Sequence, residues 1–127
     1  MQGRWRGGVM AVLLAGAGGL SGSAHAALDA TGHREVSALL AFVGSSRCTF
    51  IRNGSVYSAT QAQAHLQQKL DYLLRKDMVN SAEQFIERAG SESSFSGKPY
   101  KVNCDGKEQL SADWLRDELQ RLRQVQP

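Results

Sequence analysis

The sequence predicts an α+β fold in which amphipathic helices pack on a short antiparallel sheet that a single disulfide holds. Three observations lead to this prediction. Apolar residues recur with helical spacing in several segments, strand-forming residues flank an Asn-Gly dipeptide and recur further along, and Cys48 and Cys104 are widely separated. The predicted order is helix, hairpin, long helix, short helix, one further strand and a last helix.

Residues 1–26 have the pattern of a cleaved secretory signal peptide. Two arginines precede an apolar, glycine-interrupted run, which is followed by Ala24-His25-Ala26. The run is shorter than the roughly 20 apolar residues of a spanning helix, so we expect cleavage after Ala26 and no membrane span afterwards. The expected mature unit is one domain over residues 27–127. We expect it in the periplasm, and the sequence leaves secretion beyond the periplasm open.

The charge of the mature chain limits the choice of partners. Residues 27–127 contain thirteen basic and twelve acidic side chains, a net charge of +1. A chain so close to neutral has no sequence-wide electrostatic attraction for nucleic acid. We therefore expect no nucleic-acid partner, and any anion binding requires a local basic cluster.

The first two elements of the mature chain are a helix and a hairpin. Apolar residues at i, i+3, i+4 and i+7 predict a helix over residues 34–43, with Gly44 as its left-handed C-terminal stop. Asn53-Gly54 supplies the two positive-φ positions of a type I′ turn. In the resulting hairpin, Phe50 faces Tyr57.

Two capping signals predict the next two helices. Ser58 and Gln61 fit a capping box at the start of a long amphipathic helix. A second signal from Asn80 to Glu83 predicts a short helix that ends at Gly90. In this interpretation Glu83 is a capping carboxylate near the helix N-terminus, where negative charge is favourable.

The rest of the chain contains a loop, a strand and a helix. The serine-rich residues 91–97 predict a loop, and alternation over Pro99–Cys104 predicts a half-buried strand. If this strand pairs with the hairpin, Cys104 comes close to Cys48. An exported context and the absence of C-x-x-C spacing favour a disulfide over a metal or redox pair. A turn and an amphipathic helix complete the domain.

A local group of polar side chains is the leading candidate for a binding surface. His65 and Lys69 are one helical turn apart, so their side chains lie together, and Arg52 is at the hairpin tip. The candidate binding residues are Arg52, Asn53, His65, Lys69, Ser94, Ser96 and Tyr100. They predict a non-enzymatic binding domain for an envelope protein or an anionic envelope component. In the alternative interpretation Arg52 and Lys69 are solvated and His65 borders the core.

Catalysis is the alternative class of function. A hydrolase of envelope material would use His65 with a loop serine or with Glu83. The sequence has neither a G-x-S-x-G nor a Ser-x-x-Lys motif, and the two histidines of the mature chain have no recognised ligand spacing. We assign no catalytic residue, no metal and no cofactor.

Four ordered segments carry a family resemblance. They are Phe50–Gly54, Ala62–Leu66 with Lys69-Leu70, Ser81–Ile86 and Ser93–Tyr100. With these segments the chain resembles the YfeK-like family of small exported bacterial proteins, a domain of unknown function. The resemblance implies an exported bacterial protein and carries over no catalytic residues.

A shorter string suggests one more alternative. Ser96-Gly97-Lys98-Pro99-Tyr100 fits Ser-Gly-x-x-Tyr and resembles the inhibitory loop of periplasmic C-type lysozyme inhibitors. Those inhibitors are β-barrels, which this helix-rich sequence does not predict. Inhibition of a lysozyme is therefore the third hypothesis for function.

Overall fold

A computed structural model describes residues 27–125, so the predicted signal peptide at residues 1–26 lies outside the described residues. Within that range the elements are, in order, α1 (Ala30–Ser45), β1 (Thr49–Arg52), β2 (Ser55–Tyr57), α2 (Ala59–Arg75), α3 (Ala82–Arg88), β3 (Lys101–Cys104), β4 (Lys107–Leu110) and α4 (Ser111–Val125). The α+β class is confirmed. No helix in this part of the chain is both long and apolar enough to cross a membrane.

The strands form an antiparallel sheet with the order β2-β1-β3-β4. The predicted hairpin is confirmed, because Phe50 pairs with Tyr57 while Asn53 and Gly54 have φ angles of 52° and 79°. The sheet has one strand more than predicted. A second tight turn directs β4 back onto β3, although the Lys-Glu-Gln-Leu sequence of β4 has little strand propensity of its own.

The disulfide follows from the pairing of β1 with β3. Thr49 lies opposite Asn103, so Cys48 and Cys104 are the next residues outward on the two neighbouring segments. Their Cα atoms are 4.5 Å apart and their sulfurs are bonded. The predicted bridge is therefore confirmed, as is the pairing of the third strand with the hairpin.

The core lies between the four helices and one face of the sheet. Phe50 and Val102 are adjacent across β1 and β3 and are buried on this face. The long helix contributes its predicted apolar stripe, with Leu66 and Leu70 buried. The opposite face of the sheet presents polar side chains such as that of Lys101 to solvent.

The first helix is longer than predicted at both ends. Asp29 caps it by accepting a hydrogen bond from the backbone amide of Gly32 at 2.7 Å. The prediction that Gly44 ends the helix is wrong, because α1 continues through it and the left-handed residue is Arg47, with φ 62°. Gly44 faces α2 at close range, and a Cβ there would require the flexible side-chain amide of Gln63 to move.

The two predicted capping signals have different outcomes. The capping box between Ser58 and Gln61 is confirmed at the start of α2. The cap of α3 is Ser81, whose hydroxyl accepts from the backbone amide of Gln84 at 3.1 Å. The assignment of Glu83 as the capping carboxylate is therefore wrong. Its side chain is held by Arg123 of α4, which is 40 residues away in sequence.

Candidate functional site

Four of the candidate residues form one group, which we call the cationic cluster: Arg52, His65, Lys69 and Tyr100. Arg52 ends β1 and points to the same side of the sheet as Phe50, two positions earlier. The i, i+4 spacing on α2 brings His65 and Lys69 together, and Tyr100 comes from the segment that leads into β3.

The Tyr100 hydroxyl is the centre of the cationic cluster. It lies 3.0 Å from His65 Nε2 and 3.1 Å from Lys69 Nζ. Because an ammonium group only donates, the hydroxyl accepts from Lys69 and keeps its own hydrogen to donate to His65 Nε2. This pattern fits a neutral imidazole with its proton on Nδ1. Lys69 also donates to the carbonyl oxygen of Glu92 at 3.0 Å.

Arg52 is held by aromatic and imidazole groups. Its Nη2 donates to the Tyr57 hydroxyl at 3.0 Å, and its guanidinium carbon lies 4.7 Å from the centre of the Tyr57 ring. Its Nη1 is 3.5 Å from both ring nitrogens of His65. Within residues 27–125, no carboxylate forms an ion pair with Arg52 or Lys69.

The cationic cluster shifts the pKa values of three of its groups. Burial, and then the charges of Arg52 and Lys69, lower the pKa of His65. Burial and the Arg52 charge also lower the pKa of Lys69, against a smaller opposing effect of Glu92. Burial raises the pKa of Tyr100, although the Arg52 charge opposes this. These shifts favour an uncharged imidazole and an uncharged phenol beside two cations.

A cleft of about 330 Å³ lies between the hairpin and α2, next to the cationic cluster. Its apolar lining includes Phe50 and Tyr57 from the hairpin and Ala62 and Leu66 from α2. Three members of the cationic cluster, all except Lys69, also line it. The cleft therefore places a hydrophobic surface directly beside unneutralised positive charge.

The hairpin tip and the serine loop are joined by side-chain hydrogen bonds. Asn53 Nδ2 donates to Ser93 Oγ at 3.2 Å, and the Ser96 hydroxyl donates to the Asn53 side-chain oxygen. Ser93 is buried, and its hydroxyl also accepts from the backbone amides of Phe95 and Ser96. Asn53 and Ser96 are thus brought together as parts of a brace beside the cationic cluster.

The sequence did not single out Ser93 among the loop serines. Four serines in a segment without periodicity are equivalent until the fold shows which one is buried. Ser94, which was predicted as a binding residue, is exposed and lines a separate groove with Tyr72 and Met78. Tyr57 was also missed as a site residue, and its predicted pairing with Phe50 was the one signal that placed it near Arg52.

The described residues place no catalytic partner at His65. The Tyr100 hydroxyl bonds to its Nε2 and the Arg52 guanidinium lies 3.5 Å from its ring nitrogens, and within the described residues it has no hydrogen bond with a serine hydroxyl or a carboxylate. Both carboxylate oxygens of Glu83 accept hydrogen bonds from Arg123, at 2.6 and 3.1 Å. In residues 27–125, no group of three or more His, Cys, Asp or Glu side chains could hold a metal ion.

The Ser-Gly-x-x-Tyr string does not present its tyrosine to a partner. Tyr100 is 7% exposed and its hydroxyl is bonded within the cationic cluster. Ser96 is exposed but is bonded to Asn53. The string is thus part of the internal bracing of the site.

Comparison with known proteins links the chain to a bacterial family. Residues 30–123 match the model of a family of unknown function, DUF5329. The uncharacterized protein YfeK of Salmonella typhimurium strain LT2 is 42% identical over 52 residues. That alignment covers 41% of this chain and 42% of the relative, so it spans less than half the length of either protein. No solved structure matches.

Proposed function

The chain belongs to the DUF5329 family of unknown function, and we propose that it is an exported, non-enzymatic binding protein of the bacterial cell envelope whose ligand carries an oxyanion. The signal-peptide pattern at residues 1–26 and the Cys48–Cys104 disulfide support export to an oxidising compartment, the periplasm or beyond. The oxyanion, a phosphate or a carboxylate, binds at the cationic cluster.

One observation carries the proposal: Arg52 lines the cleft, Lys69 lies beside it within the cationic cluster, and no carboxylate in the described residues forms an ion pair with either side chain. A guanidinium group presents parallel donors that match the geometry of phosphate and carboxylate. The hydroxyl and the ring of Tyr57 orient the guanidinium of Arg52 before any ligand arrives, which reduces the entropy cost of binding.

The same geometry favours binding over catalysis. Acyl or phosphoryl transfer needs a nucleophile beside a base, and the base needs a group that orients it. His65 instead lies between two cations and receives a hydrogen from Tyr100. Such an imidazole is a poor base, and it becomes a third positive donor when an anion binds nearby and favours its protonation.

Titration with inorganic phosphate, followed by the NMR shifts of the His65 ring and the Arg52 side chain, tests this function. We expect saturable shifts, and we expect Arg52→Gln or Lys69→Gln to weaken the affinity about tenfold, since one charge-assisted hydrogen bond contributes about 1.5 kcal/mol or more. Arg75→Gln is the matched control, because Arg75 is exposed in the last turn of the same helix. Equal phosphate affinity in Arg52→Gln, Lys69→Gln and Arg75→Gln would exclude the cationic cluster as the site.

A further inference from the structure

We propose that the ligand is an amphiphile, whose single oxyanion head binds the cationic cluster and whose alkyl chain occupies the adjacent cleft. This inference rests on the proposed function. The cleft and the cationic cluster share Arg52, His65 and Tyr100, so a head bound at the cluster directs its remaining atoms along the cleft.

One face of α2 forms a wall of the cleft. Gln61, Ala64, His65 and Gln68 follow the i, i+3, i+4, i+7 pattern, and all four line the cleft. Ala62, which is buried, and Ala64, which is exposed, both line the cleft with no more than a methyl group. The hairpin residues Phe50 and Tyr57 line the cleft opposite α2.

Charge complementarity selects the occupant. Within the described residues, the cleft lining contains no acidic side chain and includes Arg52 and the protonatable His65. A wholly apolar ligand would leave the arginine without a charged acceptor, and a small inorganic anion would leave the apolar wall in water. An amphiphile satisfies both parts of the surface.

The size of the cleft limits the length of the ligand's alkyl chain. Its volume of about 330 Å³ lies at the lower end of the range for small-molecule sites, about 300 to 1,000 Å³. This volume suits one short chain, or part of one longer chain. The source of the head group, a lipid-type phosphate or a free carboxylic acid, does not change the chemistry of recognition.

Calorimetry with a series of alkyl ligands tests the inference. Inorganic phosphate, butyl phosphate, hexyl phosphate and octyl phosphate are compared at one pH and ionic strength. We expect the affinity to rise about fourfold for each added methylene until the cleft is full, the ratio that burial of a CH₂ group gives. Octanoate and octanol have the same chain length as octyl phosphate. Octanoate compares a carboxylate head with a phosphate head, and octanol measures the effect of the alkyl chain without an anionic head.

The outcomes distinguish this inference from the proposed function. An affinity that is the same for inorganic phosphate and octyl phosphate would overturn the amphiphile and leave the anion site standing. Octanol that binds as tightly as octyl phosphate would overturn the anion site itself. Tighter binding of octyl phosphate or octanoate than of octanol supports both, and the tighter of the two identifies the head group.

A variant that fills the cleft tests where the alkyl chain of the ligand binds. Ala64→Leu should reduce octyl phosphate affinity at least tenfold and leave the affinity for inorganic phosphate unchanged, because it occupies the cleft without removing a charge. Ala41→Leu is the control, at an exposed position of α1. In the unsubstituted protein, nuclear Overhauser effects should join the octyl chain to the Phe50 and Tyr57 rings. Their absence would overturn the inference even if Ala64→Leu failed to fold.

Discussion

Tyr100 has a structural and a polar role in the same side chain. Its ring is buried, lies edge-to-face with the His65 ring at a centroid distance of 5.9 Å, and has Lys69 Nζ 4.8 Å from its centre. Its hydroxyl accepts from Lys69 and contacts His65. The alternation of the β3 segment predicts that Tyr100 is inward, but only the fold shows which groups its hydroxyl reaches.

Removal of the Tyr100 hydroxyl should destabilise the protein by about 1 kcal/mol, the net value of a partly buried hydrogen bond. Tyr100→Phe keeps the ring, so packing changes little and the measured loss belongs to the bonds with His65 and Lys69. Urea unfolding measures it, with Tyr72→Phe as the control at an exposed tyrosine of α2. Equal midpoints for Tyr100→Phe and Tyr72→Phe would show that the hydroxyl contributes nothing to stability.

His65 should make the free energy of unfolding depend on pH. Its pKa in the folded protein is lowered from 6.5 by burial and by the charges of Arg52 and Lys69. The unfolded chain therefore binds a proton that the folded chain does not, so stability falls as pH decreases below about 6.5 and levels off below the folded-state pKa.

Replacement of His65 removes this contribution. Urea unfolding between about pH 7.5 and pH 5, above the ordinary range of carboxylates, should show a smaller decrease in stability for His65→Gln than for the unsubstituted protein. His33→Gln on the exposed side of α1 is the control. If the free energy of unfolding decreases with falling pH equally in both variants and in the unsubstituted protein, His65 does not titrate differently in the folded and unfolded states.

At the scale of elements, the site depends on the brace between the hairpin and the serine loop. Asn53, at the turn, bonds to Ser93 and Ser96 across 40 and 43 residues of sequence. The Asn-Gly turn is predictable from sequence because its dihedral angles demand those residues. Its partner loop is not predictable, because hydrogen bonds over such a separation depend on where the helices place the loop.

Ser93→Ala should destabilise the protein by about 1 to 2 kcal/mol, because three donors lose a common acceptor at a buried hydroxyl. It should also increase amide exchange at Phe95 and Ser96. Hydrogen exchange read by NMR checks this, and Ser94→Ala is the matched control at the exposed neighbouring serine. Unchanged exchange at both amides in Ser93→Ala would show that the hydroxyl does not order the loop.

The same contrast explains which elements the sequence predicts. The caps and apolar stripes of α2 and α3 are local signals, and they predict these helices correctly apart from the cap residue of α3. Strand β4 has no local signal, because its Lys-Glu-Gln-Leu segment becomes extended only through its pairing with β3. Within the site, the spacing of His65 and Lys69 is local and was predicted. The contacts of both residues with Tyr100 required the tertiary fold.

At the scale of the whole molecule, Arg123 ties three helices together. From α4 it forms paired hydrogen bonds with Glu35 of α1, at 2.9 and 3.0 Å, and with Glu83 of α3. Glu35 is buried, with a side chain that is 6% exposed, and Arg123 donates to both of its carboxylate oxygens. Helix propensity cannot predict such a contact, because Arg123 and Glu35 are 88 residues apart.

Arg123→Gln should therefore lower the free energy of unfolding by about 2 to 3 kcal/mol, since it leaves the Glu35 carboxylate without its charged donor. Arg116→Gln is the control on the same helix, because the Arg116–Asp113 pair is exposed and such pairs contribute at most about 1 kcal/mol. Glu35→Gln combined with Arg123→Gln should recover part of the loss. An equal loss in Arg116→Gln and Arg123→Gln would contradict the role of the buried pair.

The disulfide constrains a loop that contains the whole candidate site. Cys48 and Cys104 are 56 residues apart, and the segment between them includes the hairpin, α2, α3 and the serine loop. A cross-link over this separation reduces the entropy of the unfolded chain, which corresponds to about 4 kcal/mol in the loop-closure description. In the folded state the pairing of β1 with β3 already holds the two ends together.

Reduction of the disulfide should therefore lower the stability of the protein and leave the geometry of the cationic cluster unchanged. Replacement of both cysteines by alanine, or treatment with a reductant, should lower the free energy of unfolding by about 4 kcal/mol. The part of the population that stays folded should bind inorganic phosphate with unchanged affinity, because β1, β3 and α2 still position Arg52, Lys69 and Tyr100. Urea unfolding and phosphate titration of the same sample measure the two effects. A loss of phosphate affinity in folded, reduced protein would mean that the bridge, and not the strand pairing, fixes the geometry of the cationic cluster.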